Sequence, residues 1–257
     1  MSEMMRLALG LVLSVAIGTS LGLLGGGGSI ITVPVLVYVL GVDTYRAIGM
    51  SLAVVGATSL IGAALHQRHG QVNLKAGATF GVSGAAGALI GARLTYLLSP
   101  PVLQVAFAAL MLIVAVLMLA REQTAEAIDG PRRFNPVKAA AAGMTVGALT
   151  GFLGVGGGFL IVPALIFFGE LTVHEAIGTS LLVIAINSFA GLIGHLERGR
   201  FDWRLTSLIT LCAVSGALIG TALSNRTSSR NLRKSFAVFV IIVALFLVAE
   251  NYAALID

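Results

Sequence analysis

No carboxylate lies inside any of the long apolar runs of this 257-residue chain, and charge of either sign is scarce: 11% of residues are Asp, Glu, Lys or Arg, against roughly 25% in a soluble domain. Every Asp and Glu falls in a connecting segment or within a few residues of a run's end. A proton relay or a cation site in a membrane needs such groups in mid-run, so cation transport is not expected. Cysteine is nearly absent too. Cys212 stands alone, which excludes a disulfide framework, a CxxC pair and a thiolate metal centre. There is no GxSxG, no HExxH and no carboxylate pair within an apolar run, so no enzyme chemistry, cofactor or metal is expected. The net charge of +5 comes from residues between apolar runs, where Lys and Arg set orientation in a bilayer. Nucleic acid is therefore not an expected partner.

What remains is apolar: 57% hydrophobic residues and a mean hydropathy of +0.99. Apolar runs, most of them of near-spanning length and those beside each glycine run shorter, extend over 7–24, 30–42, 47–65, 76–98 and 102–120, and again over 139–153, 159–168, 176–193, 205–223 and 236–249. The expected fold is all-α, a polytopic integral membrane protein. Residues 1–24 have the outline of a signal peptide, with Arg6 ahead of an apolar stretch. A matching segment at 147–163, where no signal peptide can lie, favours a structural helix instead.

The most informative stretch is Gly25-Gly26-Gly27-Gly28-Ser29-Ile30-Ile31-Thr32-Val33-Pro34, which returns as Gly154-Val155-Gly156-Gly157-Gly158-Phe159-Leu160-Ile161-Val162-Pro163, 129 positions on. The offset holds without a gap. Ala47-Ile48-Gly49 with Ser51-Leu52 returns as Ala176-Ile177-Gly178 with Ser180-Leu181, His66 and Gly70 return as His195 and Gly199, and 87–91 returns as 216–220. Such a register over most of the chain points to internal duplication: a first repeat at 1–120, a charged linker at 121–138 and a second repeat at 139–257.

Glycine weakens a helix interior by up to about 1 kcal/mol, so each run predicts a broken or re-entrant helix. Its freed amides would lie in the apolar layer. The arms around the second run are about 22 and 15 Å at 1.5 Å per residue, which suits a hairpin reaching mid-membrane. A hairpin makes the two halves inverted; a single broken crossing makes them parallel. Lys and Arg divide 10 against 6 between the two sides in either case. The basic stretch Arg226, Arg230, Arg233, Lys234 has a counterpart at 99–103 with no Lys or Arg, and this favours inversion.

Walker A and dinucleotide fingerprints do not fit the glycine runs, which lack the lysine and the soluble strand. Their shared physics does fit. Free N–H groups at a helix start, with about half a positive charge from the dipole, attract an anion. Candidate substrate contacts are therefore Gly25, Gly26, Gly27, Gly28, Ser29, Gly154, Gly156, Gly157 and Gly158. To these are added the polar groups on the following helix of each half: Ser51, Thr58, Ser59, Ser180, Asn187 and Ser188. His66 and His195 are the matched pair able to titrate near neutrality, as a gate or proton link, although a histidine at a segment end is more often an interfacial residue. Arg93 sits where it can snorkel. Gly18 with Gly22, Gly77 with Gly81 and Gly87 with Gly91 have the spacing of close helix packing.

The GGGGSxxxVP element repeated as GVGGGxxxVP, the AIGxSL pattern after each, and the matched His-x3-Gly resemble the sulfite exporter TauE/SafE family of bacterial membrane permeases. The resemblance covers nearly the whole chain. It implies a location in the bacterial inner membrane and transport of a small sulfur-containing or carboxylate anion, such as sulfite or an organosulfonate. The partners are then that anion and the bilayer, with a homo-oligomer left open. A channel-like anion pathway and a non-transporting assembly subunit are the alternative readings.

Overall fold

A computed structural model describes residues 3–94, 100–120, 135–153, 158–196 and 202–256. Within them the chain is helical throughout, with no strand. The helices are α1 (Glu3–Leu24), α2 (Gly28–Pro34) continued by a π-helical segment (Val35–Val39), α3 (Thr44–Arg68), α4 (Leu74–Leu94), α5 (Pro100–Ala120), α6 (Pro136–Leu153), α7 (Gly158–Phe167), α8 (Val173–Leu196), α9 (Trp203–Arg226) and α10 (Ser229–Ile256). Among the described residues, four are long and apolar enough to cross a membrane: Glu3–Leu24, Arg46–Arg68, Val173–Ile193 and Trp203–Arg226.

Local chemistry fixes most helix starts. Asp202 Oδ1 accepts from the amides of Arg204 and Leu205 at 3.1 and 3.0 Å. Asn73 Oδ1 accepts from Ala76 N–H and Asn135 Oδ1 from Val137 N–H, both at 3.0 Å. At α8, Thr172 and Glu175 form a reciprocal capping box: Glu175 N–H donates to Thr172 Oγ1 and Thr172 N–H to Glu175 Oε2. Gly27, ahead of α2, makes no side-chain capping bond. Pro34 has no N–H to continue the α ladder, and the chain beyond it widens to the π pattern, Leu40 N–H reaching the Val35 carbonyl at 3.2 Å.

Backbone contacts at glycines set the helix directions. α1 and α9 pack closely and run parallel: a Cβ at Gly18 would strike the backbone of Ala213, and one at Gly22 would lie 2.9 Å from Thr221 N. α4 and α6 are likewise parallel, Gly87 meeting Met144 and Ala148 and Gly147 meeting Gly84. The small-residue spacings read from the sequence are thus used for helix packing. α3 and α8 pack antiparallel, with Gly62 beside Leu181, Gly56 beside Ser188 and Gly191 beside Leu52. α5 packs on α10. Several of these contacts are interchanged by a shift of 129 positions. Gly216 against Val15 and Thr19 corresponds to Gly87 against Met144 and Ala148, and Gly62 against Leu181 to Gly191 against Leu52.

After α1 the chain turns back on itself. Gly28 lies beside Leu21 and Gly10 beside Leu40, so α2 and the π segment descend along α1 before α3 rises again. Following these directions puts Arg68, Lys75, Lys138, Arg226 and Arg230 at one end of the molecule and Arg6, Arg46 and Arg204 at the other.

Candidate functional site

The first glycine run forms the tip of the α1–α2 hairpin. Gly25 has φ +75°, a left-handed conformation that glycine tolerates, and its N–H closes α1 by donating to the Leu21 carbonyl at 2.8 Å. Gly25, Gly26, Gly27 and Gly28 are all buried. The amides of Gly26, Gly27 and Gly28 have no hydrogen-bond partner among the described residues. Gly28–Val39 is one continuous helix, so these amides sit at the positive end of its dipole.

Gly158, the first residue of α7, lies directly against this tip. A Cβ on Gly26 would be 2.6 Å from the Gly158 carbonyl carbon, and one on Gly158 would be 2.8 Å from Ser29 Oγ. Gly26 and Gly158 therefore face each other at backbone distance, near the starts of two helices. Of the second run, Gly154, Gly156 and Gly157 lie outside the described residues.

The polar candidates divide into two groups. Some are engaged by the hairpin: Ser29 Oγ donates to the Gly26 carbonyl at 2.8 Å, while Ser180 Oγ lies 2.5 Å from the Gly25 carbonyl and 2.7 Å from that of Ile177. Ser180 thus ties α8 to the tip, whereas the sequence offered it as a free donor. Others are buried with an unpartnered atom: Thr58 Oγ1, Ser59 Oγ and Asn187 Oδ1. Thr58 and Ser59 are fully buried on α3, about halfway along it. Gly56 against Ser188 puts Asn187 at the same level on α8. Ser51 and Ser188 are buried on the same two helices.

His66 is fully buried rather than interfacial. Its Nε2 is 3.0 Å from the Gly22 carbonyl and its Nδ1 2.7 Å from Gln71 Oε1. A carbonyl only accepts, so Nε2 carries a hydrogen. The imidazole ties the end of α3 to the last turn of α1, just below the tip. The segment after it packs on α8, where Asn73 N–H donates to Thr179 Oγ1 at 2.9 Å. His195 belongs to α8, and its side chain is outside the described ones. Among the described residues no group of three or more His, Cys, Asp or Glu could hold a metal ion.

One buried cation escaped the sequence reading. Arg233, in the second turn of α10, is only 8% exposed. Its basic neighbours made the stretch look like a solvated loop, and only its i, i+3 relation to the core residue Phe236 hinted otherwise.

The family model described as Sulfite exporter TauE/SafE matches residues 10–247. A probable membrane transporter protein of Xylella fastidiosa (strain Temecula1) is 36% identical over 248 residues, covering 93% of this chain and 94% of that one. Another from Xylella fastidiosa (strain 9a5c) is 34% identical over 245 residues, covering 93% and 94%. The probable membrane transporter protein YdhB of Bacillus subtilis is 29% identical over 213 residues, covering 81% and 86%. No solved structure matches the chain.

Proposed function

The chain belongs to the sulfite exporter TauE/SafE family, a multi-pass protein of the bacterial cell membrane, and from that premise we propose that it is a secondary transporter whose two glycine-rich helix starts clasp a small sulfur-containing anion between duplicated halves. The observation that carries this reading is the meeting of Gly26 and Gly158, which brings two helix starts together. Each N-terminus offers about half a positive charge. Together they attract a monoanion without the cost of a fully charged side chain at that depth. The hydroxyls of Thr58 and Ser59 complete the ligand set, joined by Asn187 when its amide is turned so that Nδ2 takes the place of the unpartnered Oδ1, since an oxyanion accepts only from O–H and N–H donors.

The inverted arrangement is part of the same proposal. α3 and α8 are equivalent in the duplication and run antiparallel, and the glycine contacts interchange under the 129-residue shift. Both support a pseudo-twofold axis in the membrane plane, passing near Ser29 and Gly158 and near the middle of α3 and α8. The basic end, with Arg68, Lys75, Lys138 and Arg226, then faces the cytoplasm.

A membrane potential negative inside drives an anion outward by about 2.3 kcal/mol per charge per 100 mV. Export of sulfite or an organosulfonate therefore needs no coupling ion, in keeping with apolar runs free of carboxylates. The test is counterflow of labelled sulfite in liposomes against a panel of sulfonates and carboxylates. Saturable counterflow that falls when the potential is collapsed at fixed pH supports the proposal. Flux that never saturates, or that follows a pH gradient alone, refutes it.

A further inference from the structure

The hairpin tip has a second side, built by Gly27 rather than Gly26 and turned towards α10. A Cβ on Gly27 would lie 2.7 and 3.0 Å from Cε1 and Cδ1 of Phe239 and 3.1 Å from Ser20 Oγ, so both side chains meet the tip at one point. Ser20 Oγ is buried without a hydrogen-bond partner. Other hydroxyls on the hairpin behave differently. Ser14 and Thr19 donate to the carbonyls of Gly10 and Val15, one turn back, at 2.7 and 2.8 Å, and Thr32 donates to that of Gly28 at 3.1 Å. The Ala16 carbonyl stands one turn before Ser20, yet Ser20 makes no such bond. A buried hydroxyl left unpartnered is costly, and beside this one lies an amide in the same condition, since Gly27 N–H has no partner among the described residues. Two neighbouring donors, neither using the other, call for a shared acceptor.

The duplication does not produce this arrangement. The positions 129 away from Ser20, Gly27 and Phe239 are Leu149, Gly156 and Leu110, so the glycine is repeated and the hydroxyl and the ring are not. The ring is also the movable wall of the tip. Gly26 is closed in by the backbone of Gly158, which cannot turn aside, whereas Phe239 is a half-buried side chain with rotamers of its own. The rim of an aromatic ring is its positive part, which suits the flank of an oxyanion.

We propose that Ser20 is a further substrate donor and Phe239 the residue that sets substrate size. Ser20 O–H and Gly27 N–H grip one oxyanion, the ring closes over it, and a compact inorganic anion such as sulfite is taken in preference to an alkanesulfonate, whose carbon chain meets the ring. This rests on the transporter reading above and narrows its substrate to the inorganic oxyanion.

Counterflow of labelled sulfite in liposomes, with unlabelled sulfite or ethanesulfonate as competitor, tests it. Wild type should prefer sulfite. Ser20→Ala should raise the half-saturating sulfite concentration at least fivefold at an unchanged melting temperature, because the lost hydroxyl has no partner. Phe239→Leu gives α10 the residue that α5 carries at the equivalent position and keeps the wall apolar; it should move relative affinity at least threefold towards ethanesulfonate, and Phe239→Ala should move it further. A general weakening of the fold lowers flux of both anions and leaves that ratio where it was. Wild-type half-saturation in Ser20→Ala, a lower melting temperature in that variant, an unchanged ratio in Phe239→Leu, or a wild-type preference for ethanesulfonate each overturns the inference and leaves the transporter reading standing. Absence of counterflow of any anion by wild type overturns both.

Discussion

Replacing Gly26 by alanine tests whether contact between the hairpin tip and Gly158 matters for transport or only for folding. The added Cβ would lie 2.6 Å from the Gly158 carbonyl carbon and closer still to its oxygen, a separation real Cβ atoms essentially never adopt. Both atoms are backbone and cannot rotate away, so α7 must shift. Overpacking of this kind costs about 1–3 kcal/mol, or a fall in melting temperature of about 2–12 °C at about 2–4 °C per kcal/mol. Gly70→Ala is the matched control. Gly70 has φ +69° and nothing within 4 Å of its added Cβ, so the penalty is left-handed strain alone, about 1–2 kcal/mol. The two variants should therefore lose comparable stability and differ in function. Sulfite counterflow at a temperature where both are folded should drop more than tenfold for Gly26→Ala and stay within twofold of wild type for Gly70→Ala. Equal flux in the two, with Gly26→Ala clearly destabilised, would refute the claim that the Gly26–Gly158 contact holds the substrate.

Three further outcomes follow from the same geometry. Thr58→Val removes a buried hydroxyl that has no partner, so stability should be unchanged or rise by up to about 1 kcal/mol while the half-saturating anion concentration rises at least fivefold; a clear loss of stability would show that the hydroxyl is already satisfied. His66→Ala leaves the Gly22 carbonyl and the Gln71 side chain unpartnered, at about 1–3 kcal/mol for each orphaned group, and should lower the melting temperature by about 4 °C or more, at about 2–4 °C per kcal/mol; unfolding at the wild-type temperature would contradict the clamp. In a Cys212→Ser background, Asp43→Cys should react with an impermeant maleimide from outside intact cells, and Thr172→Cys, 129 positions on, only after permeabilisation. Labelling of both from one side would exclude inversion.

Much of this architecture is legible in the sequence because hydropathy alone locates helices in a chain so short of charge. Each of the ten apolar runs corresponds to a helix or part of one, and the interruption at 25–27 falls where four glycines break the ladder. Partners distant in sequence are not legible. His66 looks interfacial because it closes an apolar run, yet it bonds to Gly22, 44 positions away. Ser180 reads as a free donor, but its hydroxyl is drawn to the Gly25 carbonyl across 155 positions. Arg233 sits among Arg230 and Lys234, and only its i, i+3 relation to Phe236 separates it from its exposed neighbours. α1 also packs against α9 and α4 against α6, a crossing between distant parts of the chain that a linear reading would not anticipate.

That crossing constrains how the molecule can be made. When 1–120 has left the ribosome, α1 and α4 still await α9 and α6, and their glycine-notched flanks are bare to lipid. Neither 1–120 nor the remainder can be a self-sufficient folding module. A chain severed in the 121–134 connection should mature only when both pieces are synthesised together, each acting as the other's template.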